Sequence, residues 1–229
     1  MTTQLESPVI EVIGLTKSFP GNTKGFGSTS GRFNAVDNVS LAIGRNEVIG
    51  LVGESGSGKT TLGRCILRLI EPDSGMIRIN LAGGIHEVLS DLTQGQLRAY
   101  RRHLQVIFQD PFHSLNPVHS IWEIVGEGLI IEGKLNRSEI RDKAASMLRL
   151  VGLDQDHLHR RPNEFSGGQR QRLAIARALI VDPIFVVCDE VTSALDTRTQ
   201  KQVLDLLRKI REERGISPVS YTHLTLPTI

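Results

Sequence analysis

The sequence predicts an α/β fold, a lobe built on a largely parallel sheet that carries a helical subdomain. Three observations lead there. Apolar runs of strand length alternate with stretches of helical period. A glycine-rich loop lies between one such run and the helix after it. The period turns purely helical through the middle of the chain, and then the strand pattern returns.

Taken in order, VIEVIGL (9–15) and AVDNVSLAI (35–43) are rich in β-branched and apolar residues and read as strands. PGNTKGFGSTSGRFN (20–34) is dominated by Gly, Ser, Thr and Asn and reads as an exposed loop. EVIGLVG (47–53) is a nearly continuous apolar run, as a strand buried on both faces requires. A helix is expected at TTLGRCILRLI (60–70), with strands at IRINL (77–81) and LQVIF (104–108). Between 121 and 153, Ile124, Leu129, Ile140, Ala144, Met147, Leu148 and Val151 recur at helical spacing. A helix at 167–180 precedes the strand IFVVCDE (184–190). The last helix spans 197–214, with Val203, Leu206, Leu207 and Ile210 on one stripe. There is no internal repeat.

Composition narrows the function classes. At 229 residues the chain is long enough for a sizeable core, and a net charge of +2 gives no global reason to expect nucleic-acid binding. Cys65 and Cys188 both lie in apolar stretches and read as buried thiols. The start, MTTQLESPVIEV, has no apolar core of signal-peptide length, and no run approaches the roughly 18 apolar residues of a membrane span. The chain reads as soluble, or peripheral to something that is not. His157 and His159 have no third ligand nearby and read as solvated loop residues. RAYRRH (98–103) reads as a solvated helix face, and Arg170 and Arg172 as candidates to face a partner chain.

The strongest chemical signal is GESGSGKTT (53–61), directly after the apolar run. It fits the pattern G-x-x-x-x-G-K-[ST] through Gly53, Gly58, Lys59 and Thr60. Glycines let the backbone of Gly53, Glu54, Ser55, Gly56, Ser57 and Gly58 wrap a polyphosphate, and the helix start at Lys59, Thr60 and Thr61 adds partial positive charge. Lys59 is expected to reach the β/γ phosphates and the Thr60 hydroxyl to ligate Mg²⁺. VVCDE ends a strand in two carboxylates, with Asp189 placed for Mg²⁺ and Glu190 for polarising a water. Ser166, Gly167 and Gly168 begin another helix, followed by Gln169, and make a second anion site. One nucleotide has one γ-phosphate, so the second site is best explained by a nucleotide held on another chain.

With these stretches in view, the chain resembles the ATP-binding cassette (ABC) ATPases from about residue 9 to about 219. GESGSGKTT is similar to the Walker A motif, FSGGQ to the family signature with Phe165 in the usual Leu position, and VVCDE to the Walker B motif. SALD (193–196) is similar to the D-loop, whose Asp196 lies at the dimer interface in the family, and Gln109 in VIFQDP to the Q-loop glutamine that contacts Mg²⁺ or the attacking water. Val191 stands where many members carry proline. The resemblance implies a RecA-like α/β core with an N-terminal antiparallel β part and a helical subdomain at about 112–168. It also implies ATP and Mg²⁺ as ligands, with adenine stacked on Phe19 and with Phe26 and Phe33 as lesser candidates.

RRHLQVIFQDPFHSLNP narrows the resemblance to the ATPases of bacterial oligopeptide, dipeptide and nickel importers, nearest the second of their two ATPase subunits. That implies a second ABC ATPase subunit, identical or homologous, and two membrane permease subunits as partners. An extracytoplasmic solute-binding protein is implied indirectly, as is a peripheral place on the cytoplasmic face of the bacterial inner membrane. Residues 110–117 and the helix at 121–129 would meet the permease. The alternatives are a fragment that binds ATP without turning it over, and a soluble ABC ATPase outside transport.

His223 follows Thr222 at about the spacing of the family's switch histidine, which contacts the γ-phosphate. Its neighbours do not fit. Pro218 is expected to interrupt the buried strand, and Leu224 replaces an acidic residue. Residues 1–219 read as one domain, and 220–229 as a foreign or disordered tail in which His223 falls into register by coincidence.

Overall fold

The structure is a computed structural model, and it describes residues 7–21, 31–81, 85–189, 191, 195–214 and 217–221. Phe26, Glu190, Ser193, Thr222 and His223 lie outside the described residues. The elements run β1 (Ile10–Pro20), β2 (Arg32–Ile43), β3 (Ile49–Leu51), α1 (Lys59–Ile66), β4 (Ser74–Leu81), β5 (Ile85–Val88), α2 (Gln94–Leu97) and β6 (Leu104–Ile107). They continue with α3 (Pro111–Ser114), α4 (Ile121–Val125), α5 (Glu127–Glu132), α6 (Arg137–Leu150), α7 (Gly167–Leu179), β7 (Phe185–Asp189), α8 (Thr197–Arg214) and β8 (Ser217–Tyr221).

Two sheets organise them. The first is antiparallel, in the order β2-β1-β4-β5. The second is parallel, in the order β3-β8-β7-β6. The α/β architecture with an N-terminal antiparallel part and a helical middle is therefore borne out.

β7 shows how the parts meet. All five of its residues are buried. Successive strand residues point to opposite faces, and the alternation divides the strand between two cores. Phe185 and Val187 join the core that holds α1 and the antiparallel sheet. Val186 and Cys188 join the core of α4, α6 and α7. The unbroken apolar run is thus explained by burial on both sides. Burial also pushes the Cys65 thiol up to about 11 and the Cys188 thiol up to about 12.

Several boundaries differ from the sequence reading, for local reasons. β1 and β2 run on through Pro20 and from Arg32, because the hairpin pairing continues to Pro20↔Arg32 beyond the apolar stretch. α1 stops at Ile66 rather than near 70, since Arg68 takes φ 51 and leaves the helix. β3 covers only Ile49–Leu51 of the expected 47–53. β5 was not foreseen; it is a short edge strand with exposed Ile85. The helical middle is three helices, broken at Gly126 and again between Gly133 and Asn136, where Asn136 caps α6.

Two expectations are corrected. Pro218 does not interrupt the last strand: β8 forms between β3 and β7 and extends to Tyr221. Ser217 donates its N–H to Ile184 O on the β7 side at 3.0 Å, so the next N–H position along the strand faces away from β7. β3 begins to pair only one residue later, at Ile49↔Val219, so the N–H that proline lacks falls just outside that ladder. The RAYRRH run is not a solvated face either. Arg101 donates to the carbonyls of Leu67 and Arg68, and Arg102 to that of Val181. These arginines fasten the segment before β6 to the end of α1 and to the residues after α7.

Candidate functional site

The Gly53–Thr61 segment leaves β3 and turns into α1 through glycines that no other residue could replace without strain. Gly56 has φ 83 and Gly58 φ 89, a region that costs an L-residue about 1–2 kcal/mol. A β-carbon on Gly58 would lie 1.9 Å from the Ala35 carbonyl oxygen, so β2 itself closes against the loop. A β-carbon on Gly53 would meet Ser57 Oγ at 2.8 Å. Lys59 Nζ donates to Gly53 O and Glu54 O, both at 2.7 Å, and to Ser57 Oγ at 3.2 Å. The ammonium thus braces the turn, at the N-terminus of α1 where unpaired N–H groups carry partial positive charge.

The second half of the site arrives from 129 positions away. Thr60 Oγ1 donates to Asp189 Oδ1 at 3.1 Å. Asp189 is the buried last residue of β7, and its other oxygen lies 3.6 Å from Arg64 Nη2 of α1. A hydroxyl and a carboxylate side by side at the mouth of a phosphate loop suit a hard dication that takes few protein ligands and completes its shell with phosphate and water. The donor set therefore fits Mg²⁺. Arg64 was missed by the sequence reading, because no local signal marks an ion pair across two elements. Gln109 lies exposed two residues beyond the end of β6, the strand that pairs with β7.

Ser166 caps α7. Its Oγ accepts from Gln169 N–H at 3.4 Å, and Gln169 Oε1 accepts from Ser166 N–H at 3.0 Å, a reciprocal capping box. A β-carbon on Gly168 would come 2.6 Å from Thr199 Cγ2, so the first turn of α7 rests on the first turn of α8. Thr199 donates its N–H and its hydroxyl to the Asp196 carboxylate at 3.0 and 2.7 Å. The Thr199 hydroxyl is the main reason the Asp196 carboxyl sits below its usual range. The structure thus joins Gly168 and Asp196 through Thr199, whereas Thr60 and Asp189 belong with the phosphate loop.

Other singled-out residues are placed as follows. Phe19 is half-buried in β1, with Phe33 opposite it. His157 is half-buried rather than solvated, because its ring stands edge-on to Phe165 at 5.3 Å, while His159 is exposed. No group of three or more His, Cys, Asp or Glu that could hold a metal occurs among the described residues. Arg170 donates to Phe165 O, and Arg172 to Val151 O and Gln202 Oε1. Among the described residues, no helix is long and apolar enough to cross a membrane.

Set beside known proteins, the chain matches the family described as "ABC transporter" over residues 36–193. A putative peptide import ATP-binding protein of Brucella ovis is 45% identical over 218 residues, which is 95% of this chain and 65% of that protein. An oligopeptide transport ATP-binding protein of Streptococcus mutans is 48% identical over 190 residues, 82% of this chain and 60% of that one. The chain therefore spans about two thirds or less of the length of these relatives. Among solved structures, a dimeric ATP-binding cassette in a post-hydrolysis state, bound to ADP and Pi, superposes with a TM-score of 0.78 at 32% identity. That match covers 94% of this chain and 88% of the other.

Proposed function

Because the chain belongs to the ABC transporter family, we propose that it is the ATP-binding and ATP-hydrolysing subunit of a bacterial importer of peptides or a related solute such as nickel. The observation that carries this reading is the Thr60–Asp189 contact beside the glycine loop, which brings a phosphate cradle and a cation site to one place. The names of the similar import proteins support the transport part.

In this reading the backbone N–H groups of Gly53 to Thr61 and the Lys59 ammonium bind the β/γ phosphates. Thr60, Asp189 and Gln109 hold Mg²⁺, which when bound neutralises charge on the phosphate oxygens. Glu190 acts as general base toward the attacking water, a contribution of roughly 10²–10⁴-fold. Phe19 carries the adenine. Ser166, Gly167, Gly168, Gln169 and Asp196 serve the nucleotide of a second ABC ATPase subunit, so that each ATP is enclosed by two chains. Dimeric assembly in the similar solved cassette supports that arrangement.

Two permease subunits, a solute-binding protein outside the membrane and a peripheral place on the cytoplasmic face complete the proposal. The expected single domain, 1–219 with its helical subdomain at about 112–168, is extended by two residues, because Ser220 and Tyr221 belong to β8. His223 is taken as incidental to the mechanism.

The test is steady-state ATPase activity and ATP affinity of the chain and two variants. Lys59→Ala should lose ATP affinity. Glu190→Gln should keep ATP affinity and lose turnover by roughly 10²-fold or more. Retained turnover in both variants overturns the proposal. ATP binding without turnover in the parent chain favours the reading as a non-hydrolysing fragment instead.

A further inference from the structure

Asp189 is the buried end of β7, and a carboxylate taken out of water needs partners for its charge. Its two oxygens are met by two residues of one helix. Thr60 Oγ1 donates to Asp189 Oδ1 at 3.1 Å, and Arg64 Nη2 lies 3.6 Å from Asp189 Oδ2. Thr60 and Arg64 stand four positions apart in α1, the spacing that puts two side chains on one face of a helix. α1 thus presents a hydroxyl and a guanidinium together to the carboxylate that the Mg²⁺ reading assigns to the metal.

The backbone beneath Arg64 is pinned. Its carbonyl accepts from Leu69 N–H at 2.8 Å and from Ile70 N–H at 3.1 Å where the helix ends. The carbonyls of Leu67 and Arg68, just beyond, accept from Arg101. The Arg64 side chain keeps 44% of its surface exposed, so the guanidinium has the buried carboxylate on one side and solvent on the other. Arg64 lies in the last turn of α1, where the helix dipole favours a cation. The dipole gives no reason, however, for the guanidinium to lean on a buried carboxylate.

We propose that Arg64 is a positioning residue for the Thr60–Asp189 pair: a built-in counter-ion that holds the Asp189 carboxylate when no nucleotide is bound and makes the pair a poor site for a divalent cation on its own. The proposal rests on the ATP and Mg²⁺ reading above. A resident positive charge opposes a second one at the same carboxylate. The negative charge of a bound triphosphate offsets that repulsion. Arg64 therefore makes metal binding depend on the nucleotide, so that the cation enters with the phosphates and not ahead of them.

The experiment measures Mn²⁺ dissociation constants by electron paramagnetic resonance at low ionic strength, with and without a non-hydrolysable ATP analogue. It uses the full chain, Arg64→Gln, Arg64→Lys, and Arg64→Gln combined with Asp189→Asn. Circular dichroism confirms that each is folded, and Arg64→Met replaces Arg64→Gln if the latter is not. Arg64→Gln should tighten Mn²⁺ binding in the absence of nucleotide by roughly tenfold or more. With the analogue present the change should be much smaller. Arg64→Lys should match the parent, and adding Asp189→Asn should abolish the gain. A gain in affinity is not a result that misfolding produces. Mn²⁺ binding by Arg64→Gln equal to that of the parent without nucleotide overturns the counter-ion role. Equal tightening with and without the analogue overturns the dependence on nucleotide. A gain that survives Asp189→Asn lies elsewhere and overturns the assignment, as does an Arg64→Lys variant that behaves like Arg64→Gln. If the parent binds no Mn²⁺ even with the analogue, the metal reading itself fails and the proposal with it.

Discussion

Gly58 is where conformation and contact coincide. Its φ of 89 is in the left-handed region, and the Ala35 carbonyl fills the space a side chain would need. Gly56 has a similar φ of 83 but open space around the position of a β-carbon. Gly58→Ala therefore combines backbone strain of about 1–2 kcal/mol with a clash against backbone that cannot swing aside. Gly56→Ala brings the strain alone. Gly58→Ala should weaken triphosphate binding more than tenfold and more than Gly56→Ala does, as read by calorimetry; equal effects would mean that β2 does not press on the loop. The glycine spacing was legible in the sequence, because the pattern is local. Ala35, Arg64 and Asp73 were not, since each acts on a residue far away in the chain and none has a distinguishing neighbourhood.

At the scale of elements, strongly periodic segments were read well and their ends less so. α8 spans the expected 197–214, and Val203 and Ile210 are buried on its apolar stripe. Ends depend on caps and pairing. α6 starts at Arg137 because Asn136 Oδ1 accepts from the N–H groups of Ser138 and Glu139 at 2.9 and 3.1 Å, while Glu139 reaches back to Asn136 N–H at 2.7 Å. Asn136→Ala should lower stability by about 1 kcal/mol in chemical denaturation, the usual worth of an N-cap, and leave triphosphate affinity unchanged. A cost near zero would show that packing rather than the cap sets the start of α6. Pro218 teaches the converse: its effect on a strand depends on which way its missing N–H points, and only the neighbouring strands establish that.

Across the whole molecule, three carboxylates have a lowered folded-state pKa: Asp73 ties separate strands together, whereas Glu123 and Asp196 each close a local turn at a helix start. Asp73 is held chiefly by the Lys17 hydrogen bond, Glu123 by that of Ser120 and Asp196 by that of Thr199. In each case the folded protein holds its proton less tightly than the unfolded chain does. Their contribution is complete above the ordinary carboxylate value of about 4 and disappears as pH falls below it. Urea midpoints should accordingly be steady near neutrality and fall on acidification below about pH 4, with a shallower fall in Asp73→Asn. A midpoint for Asp73→Asn that tracks the parent throughout would remove Asp73 from this linkage.

Apolar run lengths, helical period and the glycine–lysine–threonine spacing were enough to specify an α/β lobe, a helical middle and a phosphate cradle, because each of these is written within a few successive residues. The meeting of Thr60 with Asp189, the stacking of Gly168 on Thr199, and the clasp of Asp73 on two strands came only with the folded chain. Those contacts join positions tens to more than a hundred residues apart, and no local pattern carries that information. Sheet order and helix packing bring such positions together, through hydrophobic burial on both faces of β7 and the pairing of β1 with β2.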